Sequence, residues 1–283
     1  EFERRCRIEG REGEIFSRLR DLRDRYGADI VERFPSIPRR GSGYPLEYLL
    51  AGKGCNIARA LVGTESTCVL VLEAKVRLIH SPPKRAMVVL GYPDVFRAGD
   101  HVARVRALQP LGLEGIDEAL TRDMRDKGLH VENLELLPEG KGWLLVEFGG
   151  ETDEEAQENA RRAVNELERE KNAPNCRVLT DRDEQATVWE IRESGLGATA
   201  HVPGRPETWP GWEDAAVPPD GIGAYLRDFR ALLDRYGYEC DLYGHFGDGC
   251  VHCRINFDFT TAEGIARYRA FVTEAAHLVV RHG

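Results

Sequence analysis

Two histidines seven positions apart bracket a glycine-rich reversal in Tyr243-Gly244-His245-Phe246-Gly247-Asp248-Gly249-Cys250-Val251-His252-Cys253. Glycine permits a tight turn and a close backbone approach. If Gly247–Gly249 forms the turn, His245 ends one strand and His252 lies on the next, and a metal site is geometrically easy. Neutral imidazoles on rigid strands suit a zinc-like divalent ion, and Asp248 is placed to orient one of them from behind. Two ligands do not close a site, so a third has to come from elsewhere. The segment reads equally well as a glycine hairpin with two ordinary, hydrogen-bonded histidines. Cys250 and Cys253 would make a Cys/His structural zinc only with a second CxxC-like half, which the sequence lacks, and strand alternation sends Cys253 to the face opposite Cys250 and His252.

Arg192, in Trp189-Glu190-Ile191-Arg192-Glu193, offers a fork for a carboxylate, although an arginine on a helix surface looks the same. His201, Trp209 and Trp212 could line a pocket. Gly41-Ser42-Gly43 and Gly63-Thr64-Glu65-Ser66-Thr67 present backbone N–H groups and hydroxyls of the kind that hold a polar or anionic cofactor edge. Neither is a phosphate-binding P-loop, and no GxGxxG follows a strand, which disfavours a nicotinamide enzyme of the doubly wound type.

The chain that must position these groups has 283 residues, enough for two compact units. Hydrophobic residues make up 42% and charged residues 31%, an ordinary globular balance. A formal charge of -9 argues against nucleic acid as the main partner. The eleven arginines and nine acids of residues 1–40 nearly balance, as on a solvated helix face. Seven cysteines without a regular framework suggest reduced thiols and a cytoplasmic setting. No apolar run approaches the roughly 18 residues of a membrane helix. The opening Glu1-Phe2-Glu3, without Met, and the close at Arg281-His282-Gly283 lead us to expect a piece of a longer chain.

Ile15, Leu19, Leu22 and Tyr26 predict an amphipathic helix over Glu14–Tyr26, and Pro35, Pro38 and Pro45 an ordered loop over Phe34–Leu50. A short helical segment is expected over 55–62, and the alternation of Val69–Ile79 predicts a strand. Ser81-Pro82-Pro83 marks a boundary. Beyond it we expect a strand at 86–91, helices at 94–107 and 116–127, a strand at 143–149, a helix at 153–171 capped by Thr152 and Glu155, and the tip of a strand at Val178–Leu179. Residues 194–219, with Pro203, Pro206 and Pro210, read as a long functional or mobile loop. Helices at Ile222–Tyr236 and Thr261–Val280 flank a hairpin, 240–245 and 250–258. The pattern is α+β, with helices packed on one side of an antiparallel sheet.

Four segments resemble, in order and spacing, the FAD-linked oxidases of the vanillyl-alcohol-oxidase (PCMH) type, the group of D-lactate dehydrogenases and the glycolate oxidase D subunit. Ile37–Leu46 resembles its RRNxSGYxLD stretch, Ala60–Thr67 with Val71–Ala74 its LxGxEGTLGxVxEA segment, Trp189–Arg192 its WxxR and Gly244–His252 its GHxGDGNxH. The resemblance implies that residues 1–80 end a two-subdomain FAD-binding domain whose pyrophosphate-binding glycines lie upstream. Residues 84–283 would then be a truncated, ferredoxin-like cap with a large antiparallel sheet. Arg40, Ser42, Gly43, Tyr44, Gly63, Thr64, Glu65, Ser66 and Thr67 would face FAD.

His245 and His252 would ligate a zinc-like metal which, with Arg192, positions a 2-hydroxy acid of the D-lactate or glycolate type. The third ligand and the base would come from a GEHGxG element past Gly283, so the piece alone is expected to be inactive. Relatives of this kind continue into an iron–sulfur domain and pass electrons to a quinone or carrier protein, which also allows a subunit partner, a homo-oligomer or peripheral attachment to a membrane through partners. Departures occur at Ser66 for Gly, Gly41 near the usual Asn, Cys250 for Asn, and Arg254 where many members place Asn. Arg254 is therefore a candidate for setting substrate range, and the loop with Trp209, Trp212, Glu213 and Asp214 for closing over substrate. A metal-binding, non-catalytic α+β module and a structural subunit of a larger dehydrogenase remain the alternatives.

Overall fold

The computed structural model describes residues 1–40 and 43–283, which form two compact units, Glu1–Ser36 with Arg40–Leu78, and Ile37–Arg39 with Ile79–Gly283. The first unit is helical. After a single turn, α1 (Phe2–Arg5), comes α2 (Arg11–Arg33), longer at both ends than its apolar spacing predicts. Ion pairs one turn apart, Arg18 to Glu14 at 2.6 Å and Arg33 to Asp29 at 3.4 Å, line its wet face. It stops where Phe34 turns extended before Pro35. Two 3-10 turns follow at Leu46–Leu49 and Ala51–Lys53, and then α3 (Ile57–Ala60), capped by the Asn56 side chain.

The strand expected over Val69–Ile79 does not form. Its alternation is genuine, but a strand needs a neighbour to take its backbone hydrogen bonds, and among the described residues none pairs with it. Both sets of alternating side chains face solvent, with Val71 67% and Leu72 90% exposed.

The second unit carries a seven-stranded sheet in the order β4-β1-β3-β2-β6-β7-β5, every pairing antiparallel. In chain order its elements are β1 (Lys84–Tyr92), α4 (Val95–Arg106), β2 (Gly112–Asp117), α5 (Glu118–Lys127), β3 (Gly142–Gly150), α6 (Asp153–Leu167), β4 (Asn175–Leu179), α7 (Arg182–Glu193), α8 (Gly195–Thr199), β5 (Ala215–Ala216), α9 (Ile222–Tyr236), β6 (Cys240–Gly244), β7 (Cys250–Ile255) and α10 (Ala262–Arg281). The α+β class with a large antiparallel sheet is as the sequence predicts.

Helices cover both faces, however, not one. Ala86, Val88 and Leu90 of β1 pack with α4, α6, α9 and α10, whereas Met87 and Val89 pack with Leu120 and Met124 of α5, Val188 and Ile191 of α7 and Ala198 of α8. A strand buried on both faces reads as a continuous apolar run, so Ala86–Leu90 could not reveal a second helical layer.

The helix expected at 116–127 is a strand followed by a helix. Asp117 divides them: one carboxylate oxygen accepts the Leu120 N–H and caps α5, and the other accepts the Leu242 N–H of β6, each at 2.9 Å. Thr152 caps α6 as expected, but Glu155 reaches back to the N–H of Glu151. The helix ends at Leu167, short of the predicted 171, ahead of Pro174. Residues 194–219 hold α8 and β5 and are stitched to the sheet and to α5: Trp209 pairs with Ile255 of β7, and Arg205 bonds Asp123 of α5 at 2.5 Å and also Asp126.

Candidate active site

Strand alternation and register assemble one polar patch on the face of the sheet covered by α5, α7 and α8. Ile116 stands opposite Tyr243 and Gly115 opposite Gly244, so Glu114 comes level with His245, just beyond the end of β6. Tyr243 in turn pairs with His252 on β7. The reversal between the strands is a 3-10 turn, Phe246–Asp248, closed by Gly249 in the left-handed region at φ 74°. Gly115 makes room for the turn, since a Cβ there would fall 2.2 Å from the Phe246 ring. The imidazoles of His245 and His252 lie edge to face with centroids 5.0 Å apart.

Each ring is held at Nδ1 by carboxylate. His245 Nδ1 is 2.8 Å from one oxygen of Glu114, and the other oxygen accepts Arg192 Nε at 2.8 Å. Burial raises the Glu114 carboxyl, but the His245 hydrogen bond and the Arg192 charge outweigh it and hold the group below the usual carboxylate range. Glu114 is therefore an acceptor and Nδ1 donates, which fixes the tautomer whose Nε2 is free to accept or ligate. His252 Nδ1 is 3.0 Å from both Glu213 and Asp214. Neither imidazole bonds Asp248, the orienting partner expected from sequence.

Arg192 lies near the end of α7 with its guanidinium over the Tyr243 ring, 5.2 Å from the centroid. Only its Nε is bonded among the described residues, which leaves the terminal nitrogens for a planar anion. Burial pushes the Tyr243 phenol up to about 12, so it remains a neutral donor. Arg254, two residues past His252 on the same face of β7, is 8% exposed. It donates to Thr208, to the hydroxyl at 3.2 Å and to the carbonyl at 2.6 Å, and among the described residues it has no carboxylate partner.

His201, Trp209 and Trp212 do not share one lining. His201 pairs with Glu207, Trp209 stacks edge-on with Phe259, and the Trp212 indole bonds Tyr225.

In the first unit, the residues expected to face a cofactor draw together from two segments. Arg40, Gly43 and Gly63, with Arg59, line a cavity of about 270 Å³, while the Tyr44 hydroxyl meets Thr67 at 2.7 Å. Ser42 lies outside the described residues. Gly63, Glu65 and Ser66 are all left-handed, at φ 76°, 47° and 62°, and their N–H groups take no backbone partner among the described residues. Such a run can receive a polar or anionic edge. Arg40 is committed to Glu47 at 2.6 and 2.7 Å, and the buried Thr64 hydroxyl to the Leu61 carbonyl. The residues fit an edge of FAD through backbone N–H groups and the Tyr44–Thr67 pair, not through the Arg40 charge.

Glu114 was not among the residues singled out from sequence; the signal that could have found it was the strand period of Leu113, Gly115 and Asp117 against Glu114 and Ile116.

The family of FAD linked oxidases, C-terminal domain, matches residues 81–283. D-2-hydroxyglutarate dehydrogenase of Pseudomonas putida is 29% identical over 290 residues, covering 100% of this chain and 29% of that protein. The Haemophilus influenzae protein of the same name is 26% identical over 269 residues, 90% of this chain and 26% of its own length. D-lactate dehydrogenase of Archaeoglobus fulgidus is 30% identical over 207 residues, 70% and 42% of the two lengths. This chain therefore spans under a third of the first two relatives. Among the described residues no helix is long and apolar enough to cross a membrane.

Proposed function

Because this chain belongs to the FAD-linked oxidases, through their C-terminal domain, we propose that it supplies the substrate side of a flavin-dependent dehydrogenase that converts a 2-hydroxy acid to the 2-oxo acid. Residues 1–80 are in this reading the end of the FAD-binding part, and 84–283 the substrate part. The observation that carries it is the linkage Arg192–Glu114–His245, with His252 beside it on one sheet face.

Glu114 fixes both partners through one carboxylate. It holds Arg192 by Nε, so that the outward edge of the guanidinium can take the substrate carboxylate in two parallel bonds. It also holds His245 as the Nδ1–H tautomer, so that Nε2 faces the site as an acceptor or ligand. When bound, FAD supplies the hydride acceptor, and a divalent ion at the histidines would polarise the substrate oxygens. The chain's own task is placement: orienting the acid, keeping Tyr243 neutral and preventing the imidazoles from turning.

Arg254 favours an acid with a second anionic group. A nearly buried guanidinium whose hydrogen bonds among the described residues go to Thr208 alone, with no carboxylate in salt-bridge range, leaves donors that a distal carboxylate would take. The named activity of the Pseudomonas putida and Haemophilus influenzae relatives, on D-2-hydroxyglutarate, involves such an acid. The test is to express the chain with its flanking coding sequence, load it with FAD, and follow the flavin absorption without oxygen against a panel of D- and L-2-hydroxy acids. Bleaching by one acid is expected; a bound flavin that none of them reduces would overturn the reading.

A further inference from the structure

Arg254 has two acceptors to choose between, and the geometry shows which one holds it. Asp241 stands directly opposite Arg254 across β6 and β7, on the same face of the sheet. Cβ atoms of such a pair are about 4.5–5.5 Å apart, well within an arginine's reach. Both residues are nearly buried, yet among the described residues no hydrogen bond or ion pair joins them. The guanidinium goes instead to Thr208, which the backbone pairing of Trp209 with Ile255 sets diagonal to Arg254. Two bonds to this one residue, Nε to the hydroxyl at 3.2 Å and Nη2 to the carbonyl at 2.6 Å, occupy one edge of the guanidinium. The hydroxyl gives its single hydrogen to the Thr199 carbonyl at 2.6 Å, so its lone pairs are left for Nε. One bond would be a pivot, whereas two fix the plane. The edge formed by Nη1 and the second Nη2 hydrogen then remains for the two oxygens of a carboxylate. The charges of Arg192 and Arg254 both act on the Tyr243 phenol, so the two guanidiniums share the surroundings of one ring.

We propose that Thr208 is a positioning residue for substrate choice: it holds the Arg254 guanidinium off Asp241 and presents it to the far carboxylate of a dicarboxylic 2-hydroxy acid. The inference rests on the dehydrogenase reading and adds to it the group that keeps Arg254 available. Without the hydroxyl, Nε loses its acceptor in a nearly buried place, and Asp241 is the carboxylate opposite. An Arg254–Asp241 pair would then neutralise the charge that the substrate needs. Arg254 acts on the end of the acid remote from the reacting carbon, so the loss should fall on KM rather than kcat.

The flavin-loaded protein with its flanking sequence would be assayed without oxygen, comparing kcat/KM for a dicarboxylic and a monocarboxylic 2-hydroxy acid. Thr208→Val, nearly isosteric and checked for flavin content and thermal midpoint, should lower that ratio about fivefold or more, through KM for the dicarboxylic acid. Thr208→Ser, which keeps the hydroxyl, should stay within about twofold of wild type. Adding Asp241→Asn to Thr208→Val should restore most of the ratio, a coupling that a merely structural role of Thr208 would not give. Glutarate, which carries both carboxylates and no hydroxyl to oxidise, gives the same comparison by calorimetry without turnover. A ratio and a glutarate affinity that Thr208→Val leaves unchanged while Arg254→Gln lowers both would overturn this inference and leave the substrate reading standing. If Arg254→Gln changes neither, both fall. A double variant no better than Thr208→Val would overturn the competition with Asp241.

Discussion

Replacing Glu114 by Gln changes one atom and should disturb two partners in different ways. The carboxylate accepts from Arg192 Nε and from His245 Nδ1, both at 2.8 Å. Glutamine has one acceptor oxygen and one NH₂ donor. Arg192 has nothing to accept with, so the oxygen must stay with it and the NH₂ must face His245. The imidazole then has to accept at Nδ1 and carry its hydrogen on Nε2, which removes the lone pair that faces the site.

A hydrogen bond to a charged group contributes about 1.5–3 kcal/mol. The variant converts one such bond to a neutral one and weakens the other, so the expected loss is about 2 kcal/mol at neutral pH. Because the folded state holds the Glu114 carboxyl below its ordinary range, its contribution is present above the unfolded value near 4.3 and disappears as pH falls through the folded one. The stability gap between wild type and Glu114→Gln in urea should therefore narrow in acid. Ring ¹⁵N shifts at about pH 8 should report His245 moving from the Nδ1–H to the Nε2–H tautomer. An unchanged tautomer, or a gap that persists undiminished in acid, would refute the argument.

Asp241 tests the opposite sign. It is buried without a hydrogen-bond partner for its carboxylate among the described residues, and burial, then Asp117 and Asp123, push its pKa up. The folded state thus holds the proton more tightly, and stability from this group is lost as pH rises from the ordinary carboxylate range. Asp241→Asn should be on the order of 2 kcal/mol more stable than wild type at about pH 9 and little different at about pH 4, by urea midpoints; parallel pH curves would count against it. Ser66→Gly relieves a non-glycine residue at φ 62° and should raise stability by about 1 kcal/mol, read as a higher thermal midpoint. In the flavin-loaded protein, Arg254→Gln should cost about tenfold or more in kcat/KM for a dicarboxylic 2-hydroxy acid relative to a monocarboxylic one, and an unchanged ratio would remove Arg254 from substrate choice.

What the sequence disclosed about the site was its fixed local spacing. His245, His252 and the intervening glycines are one contiguous turn, and a seven-residue interval leaves few ways to fold it. Arg192 was visible as a residue type but not as a partner, because its link to Glu114 spans 78 positions and follows from the packing of α7 over the face of β2. Long-range pairing of this kind leaves no periodicity in either segment. Val69–Ile79 shows the converse limit: alternation records suitability for a sheet, not the presence of a neighbour. The second helical layer escaped for a third reason, since β1 is apolar on both faces and Ala86–Leu90 has no wet side to betray which helices cover it.

The attachment of residues 209–216 to β7 has a consequence for how this protein would fail. An outermost strand left bare offers unpaired N–H and C=O groups to any other chain. Trp209, pairing with Ile255, and Ala215 with Ala216, pairing with Val251 and Cys250, occupy those groups on β7. The segment that brings acids to His252 is therefore also the hem of the sheet. Substitutions that unpick it should convert a local loss of function into intermolecular strand pairing, so that inactive variants in this stretch would also be insoluble ones.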